Sequence, residues 1–104
     1  MMAVIFEVRM NPGRDGDYFD LAGSLRPELE TIDGFISVER FRSVNDEGKY
    51  VSLSFWRDEA AVKTWREHAE HRLAQQKGKE EIIADFRIRV AEVVRDYTLA
   101  DSRA

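Results

Sequence analysis

GFISVERFRSVNDEGKYVSLSFW, residues 34–56, decides the fold class. Apolar and polar residues alternate over 35–43 and again over 49–56, the period of two that belongs to extended strands. Between them Asn45 to Gly48 supplies loop chemistry, so the stretch predicts a β-hairpin. Asp33-Gly34 stops whatever precedes it and turns the chain into the first arm. On the second arm Val51, Leu53 and Phe55 share one face, and Tyr50, Ser52, Ser54 and Trp56 share the other. The second face is polar and aromatic, so it is expected to line a cavity or a subunit seam rather than a dry core.

Upstream, residues 3–10 alternate with Val4, Phe6, Val8 and Met10 on one side, which predicts a strand. Asn11-Pro12-Gly13 ends it, because proline cannot extend a ladder and glycine tolerates turn dihedrals. From 14 to 31, Tyr18, Leu21, Ala22, Leu25 and Leu29 recur at helical spacing, with Pro27 expected to kink or divide the helix. Downstream, Asp58 stands at an N-cap, Glu59 suits the first-turn dipole, and Ala61, Val62, Trp65 and Ala69 form a stripe running to about residue 71. A second helical segment is expected over 72–85, weakened by Gly78, followed by a last strand over 86–97.

The order β-α-β-β-α-(α)-β is that of an α+β, ferredoxin-like, four-stranded antiparallel sheet with helices on one face. Residues 1–98 form one domain and 99–104 a flexible tail. Helices on one side leave the other face uncovered, and apolar residues remain for it. A second copy of the chain is the economical cover, so a homodimer is expected.

Composition narrows the function classes. With 104 residues, 43% hydrophobic and 35% charged, the chain suits a globular protein. A net charge of −4 with scattered basic residues excludes a nucleic-acid footprint. There is no cysteine, so disulfides, thiolate metal sites and a cysteine nucleophile are excluded. No apolar run approaches the about 20 residues of a membrane span, and the first residues lack signal-peptide features, so a cytoplasmic location is expected. No phosphate loop, nucleophile elbow or dinucleotide fingerprint is present, and no cofactor is expected.

His68 and His71 are spaced i, i+3, so both lie on roughly one side of a helix. A metal site would want a third and usually a fourth ligand, and none is in sight. His68 suits a base, donor or substrate contact; the plainer reading of His71 is an exposed helix histidine. Trp65, flanked by small residues and His68, is a core anchor by default and otherwise a pocket wall. Trp56, Ser52, Ser54, Glu39 and His71 join it as candidate pocket residues. Glu39, Arg89 and Glu92 are charged residues inside strand patterns. An inward Arg89 would bind a carboxylate or phenolate; an exposed position or an inter-subunit salt bridge is the alternative.

The hairpin, the "FW" strand end, the helix WREHAEHR and the late strand FRIRVAEVVRDY together resemble the antibiotic biosynthesis monooxygenase family, over nearly the whole chain. That resemblance implies a dimeric α+β barrel. It also implies oxygenase chemistry without metal or organic cofactor, in which deprotonation of a phenol or its tautomer gives a carbanion that meets dioxygen. Trp65 matches the family's helix tryptophan; His68 and Arg89 are candidates by position. A small aromatic or quinone-type compound is the implied substrate, with a non-catalytic dimeric small-molecule-binding or accessory protein as the alternative. A heme-degrading branch uses a first-strand asparagine and a histidine ten residues after the tryptophan. Here Asn11 lies beyond the strand and Gln75 stands in the histidine's place, both against heme breakdown.

Overall fold

The structure is a computed structural model that describes residues 1–74 and 79–102, with the side chains of 79 and 80 left aside. The elements run β1 (Met2–Met10), α1 (Asp15–Leu29), β2 (Phe35–Arg42), β3 (Lys49–Trp56), α2 (Glu59–Ala74), α3 (Lys79–Ile82), β4 (Ile83–Glu92) and α4 (Leu99–Ser102). The sheet order is β2-β3-β1-β4 and every pairing is antiparallel, the ferredoxin-like arrangement expected from the element order.

Register assigns the faces. Opposite residues point the same way, so one side of the sheet carries the rows Phe35–Trp56–Met2–Glu92, Val38–Ser54–Val4–Val90, Arg40–Ser52–Phe6–Ile88 and Arg42–Tyr50–Val8–Phe86. The helices cover this side over β1 and β3. Val8, Tyr18, Tyr50 and Ile82 make one core cluster; Leu29, Trp56, Ala61 and Val62 make another, joined by Met2, Val4, Ile32, Phe35, Val38 and Trp65.

This corrects the expectation for the polar-aromatic face of β3. Tyr50, Ser54 and Trp56 are buried beneath the helices, not at a cavity wall or seam, and Ser52 between them is half-buried. Burial is tolerable because the polar atoms pair locally. Trp56 Nε1 donates to Ser54 Oγ at 2.9 Å, and Tyr50 Oη donates to Asp15 Oδ2 at 2.8 Å. Burial also pushes the Tyr18 hydroxyl above its usual pKa, with the Arg40 guanidinium pulling the other way.

The opposite side carries Ser37–Phe55–Ala3–Ala91, Glu39–Leu53–Ile5–Arg89 and Phe41–Val51–Glu7–Arg87, and no described helix covers it. Glu7 sits among these apolar residues with Lys49 Nζ 3.4 Å and Arg89 Nη1 3.3 Å from its carboxylate.

Local chemistry fixes the elements' ends. Asp58 caps α2 as expected, accepting from Ala61 N at 2.9 Å. Gly34 has φ +95°, and a Cβ there would stand 2.7 Å from that of Ala61. Its carbonyl accepts from Arg57 N at 2.7 Å, while Arg57 forks onto Asp33 at 3.1 and 3.2 Å. The turn into β2 is thereby clasped to the start of α2.

Other expectations change in detail. Pro27 does not divide α1, which continues to Leu29. Leu29 reaches the core as expected. Of the helical segment expected over 72–85, residues 72–74 end α2, 79–82 form the short α3, and β4 starts three residues early; 75–77 lie outside the described residues. Gly78 lies outside the described residues. The described part of the expected tail, 99–102, forms a helical turn.

Candidate functional site

α2, capped by Asp58, carries Trp65 and His68 one turn apart; Trp65 packs on the sheet's first rows, and His68 beside it meets α1. Four rings follow one another from sheet to helix edge. Phe35 meets Trp56 edge-on at 5.3 Å, Trp56 stacks on Trp65 at 6.4 Å, and Trp65 stacks on His68 at 5.7 Å. Burial grades along this line: Trp56 has no exposed surface, while Trp65 and His68 are half-buried.

At the outer end, His68 Nε2 lies 3.3 Å from Glu28 Oε1 of α1. The two are within ion-pairing distance without the alignment of a hydrogen bond, and Nε2 is itself shielded from solvent. Arg72 Nε holds the same carboxylate at 3.1 Å, so Glu28 ties α1 to both residues of α2. A carboxylate beside one imidazole nitrogen stabilises the imidazolium formed when the other nitrogen takes a proton.

Beside this line the sheet has bare apolar surface. Val4, packed in the Trp65 cluster, pairs with Val90 of β4. Along the same face Phe86, Ile88 and Val90 keep 45–58% exposure, because the helices stop short of this edge strand. Phe6 reaches across to Phe86 at 5.8 Å. Ring stack and apolar strip together offer an exposed apolar surface that ends at the His68 imidazole.

Of the residues expected at the site, Trp65 and His68 are brought together. Trp56 and Ser54 stand behind them as buried support rather than lining, and Ser52 belongs to the row of Phe6. Arg89 and Glu39 are corrected: both lie on the opposite, helix-free side of the sheet, because their positions in register put them in the row of Leu53 and Ile5. His71 is exposed on α2. Glu28 and Phe35 escaped the sequence reading. Phe35 was findable from the hairpin register, which sets it opposite Trp56; Glu28 had no local signal, being 40 residues from His68. Among the described residues no three His, Cys, Asp or Glu side chains are grouped to hold a metal ion. Nor is any helix among them long and apolar enough to cross a membrane.

A ferredoxin-like sheet with an aromatic helix-sheet site defines a class of small α+β proteins with several activities. The family model described as antibiotic biosynthesis monooxygenase matches residues 1–77, and the chain belongs to that family. It is 47% identical over 93 residues to a protein of Pyricularia oryzae named jasmonate monooxygenase ABM, a match covering 89% of this chain and 43% of that one. It is 36% identical over 93 residues to the uncharacterized protein YqjZ of Bacillus subtilis, covering 89% and 79%. The chain thus spans less than half the length of the first relative. Among solved structures, Rv0793 of Mycobacterium tuberculosis superposes with a TM-score of 0.77 at 19% identity, covering 93% of this chain and 98% of that one. The heme-degrader MhuD of the same organism gives 0.76 at 18%, covering 94% and 100%. At such identities the likeness is one of fold. Asn11 stands outside β1, its amide donating to Glu81 O at 2.8 Å, and Gln75 lies outside the described residues.

Proposed function

We propose that the chain is a cofactor-independent monooxygenase of a small aromatic or quinone-type compound, working as a homodimer. The observation that carries the reading is the half-buried Trp65–His68 stack beside the bare apolar strip of β4. An aromatic substrate lies against Trp65 and the strip, and His68 takes the proton from its acidic carbon or phenol. Glu28 supports the imidazolium so formed. The carbanion then reduces dioxygen: a CH2 becomes C=O with one oxygen atom, and the second leaves as water with both hydrogens. Substrate supplies all four electrons, so no further reductant enters.

The uncovered sheet side supports the homodimer. Its middle row begins in Glu39 and ends in Arg89. A twofold axis lying between two such faces, parallel to the strands, reverses the row and brings each acidic end towards the partner's basic end.

The test is oxygen uptake by the purified chain with anthrone- and hydroquinone-type compounds, beside His68→Gln. Jasmonate joins the panel because of the relative's name. Oxygen-dependent turnover that falls at least tenfold in the variant supports the reading. Turnover unchanged by the variant removes His68 from it.

A second reading is a dimeric binding protein without catalysis. The observation favouring it is that Arg72 already neutralises Glu28, leaving the carboxylate less able to support an imidazolium. Saturable quenching of tryptophan fluorescence without turnover would decide for it.

A further inference from the structure

The arginines of this chain divide by what holds them. Arg9, Arg14, Arg26, Arg57, Arg72 and Arg89 each meet a carboxylate. Among the described residues Arg40 and Arg42 meet none, and lie over aromatic rings instead. The Arg40 guanidinium carbon stands 5.4 Å from the centre of the Tyr18 ring and 5.5 Å from that of Phe19; that of Arg42 stands 5.9 Å from the centre of Tyr50. Arg66, Arg87 and Arg95 also lack a carboxylate there, but no ring lies beneath them.

The rings brace one another. Phe19 meets Tyr50 edge-on at 5.2 Å and Tyr18 at 5.8 Å, and both tyrosines are buried in the cluster of Val8 and Ile82. The floor under the two cations is therefore part of the core. Arg40 and Arg42 are themselves exposed, and being two apart on β2 they leave the same side of the sheet about 7 Å from each other. A guanidinium held over a ring keeps its forked N–H donors for a second partner.

We propose that Arg40 and Arg42 bind the phosphate monoester group of a small soluble molecule. Two forks side by side favour phosphate over carboxylate: a terminal phosphate presents three oxygens and takes both forks, whereas a carboxylate presents two and is filled by one. Asp15, at the floor of this cradle, is already engaged by the Tyr50 hydroxyl at 2.8 Å. A nucleic acid is a poor occupant, since two cations on a chain of net charge −4 neutralise too little of its backbone. Tyr18 and Glu28 lie ten residues apart on α1, about 15 Å, so the cradle is separate from the Trp65–His68 stack and does not depend on the reading above. It also lies on the helix side of the sheet, and stays open when the bare face is covered.

Calorimetric titration at low ionic strength tests it, with phenyl phosphate beside benzoate. The parent chain should bind phenyl phosphate at least about tenfold more tightly than benzoate. R40Q/R42Q should lose at least about tenfold in that affinity with an unchanged far-UV spectrum, and R40K/R42K, which keeps the charge without the forks, should also bind more weakly. R66Q, a surface control, should match the parent. No binding by the parent, full binding by R40Q/R42Q, or an equal loss in R66Q would overturn the site. Sedimentation with phosphatidylcholine vesicles, with and without phosphatidic acid, separates the sources of the phosphate. Retention on the phosphatidic-acid vesicles without any binding of phenyl phosphate would overturn a soluble ligand.

Discussion

The two tryptophans stack on each other yet should behave oppositely when each is replaced by phenylalanine. Trp56 is fully buried, and its Nε1 is the donor that satisfies Ser54 Oγ in the core. Trp56→Phe removes part of a close-packed ring, worth about 1–2 kcal/mol by analogy with core truncations. It also leaves the buried Ser54 oxygen without its donor, worth about 1–3 kcal/mol. The sum is about 2–5 kcal/mol, a large share of the about 5–15 kcal/mol that a domain of this size has to lose. Trp65 is half-buried, so the same change there should cost under about 1.5 kcal/mol. Urea unfolding followed by circular dichroism at one fixed protein concentration measures both, the fixed concentration being needed because association adds to apparent stability. Quenching of the remaining tryptophan by an anthrone-type ligand is read on the same samples. Trp56→Phe should keep saturable quenching, and Trp65→Phe should lose it. Equal destabilisation by the two variants, or quenching that survives only in Trp65→Phe, would refute the division into a core ring and a site ring.

Three further outcomes follow from the geometry. Gly34→Ala should destabilise by about 2–4 kcal/mol in the same unfolding assay, since it combines a positive φ with a Cβ driven into Ala61. His68→Gln should lower oxygen uptake at least tenfold, about 1.4 kcal/mol of barrier, and Glu28→Gln should lower it less. Both should change stability by under about 1 kcal/mol, because the pair is partly exposed. Acid should weaken the clasp at the start of α2. The Arg57 guanidinium holds Asp33 below its usual 3.8, and the Ala61 N–H, then Arg57, do the same for Asp58. Depressed carboxyl pKa values stabilise the fold above that value and lose the contribution as pH falls through the folded ones. The urea midpoint should therefore drop below about pH 4, with a shallower drop in D33N/D58N.

The strands, the α2 cap and the element order were legible because each rests on neighbours in sequence. Asp58 reaches three residues, and the hairpin closes through six, 43–48. Trp65 beside His68 was legible for the same reason, being one helical turn. Three features were not. The two faces of β3 were exchanged in the reading, because Tyr50, Ser54 and Trp56 look polar until their partners are known, and one partner, Asp15, is 35 residues away. Arg89 and His68 looked like one site until register put them on opposite sides of a sheet. Glu28 carried no signal at all, since only the packing of α1 beside α2 brings it to His68.

Sequence by itself determined the β-α-β-β-α-β order, the family and the pairing of Trp65 with His68, because periodicity and spacing act over a few residues. Tertiary structure alone decided which sheet face the helices cover, which tryptophan is core, and which carboxylate attends the histidine. Those outcomes depend on strand order and helix docking, where residues far apart in the chain compete for the same surface. A two-residue period states that a strand has two sides; only packing states which of them is inside.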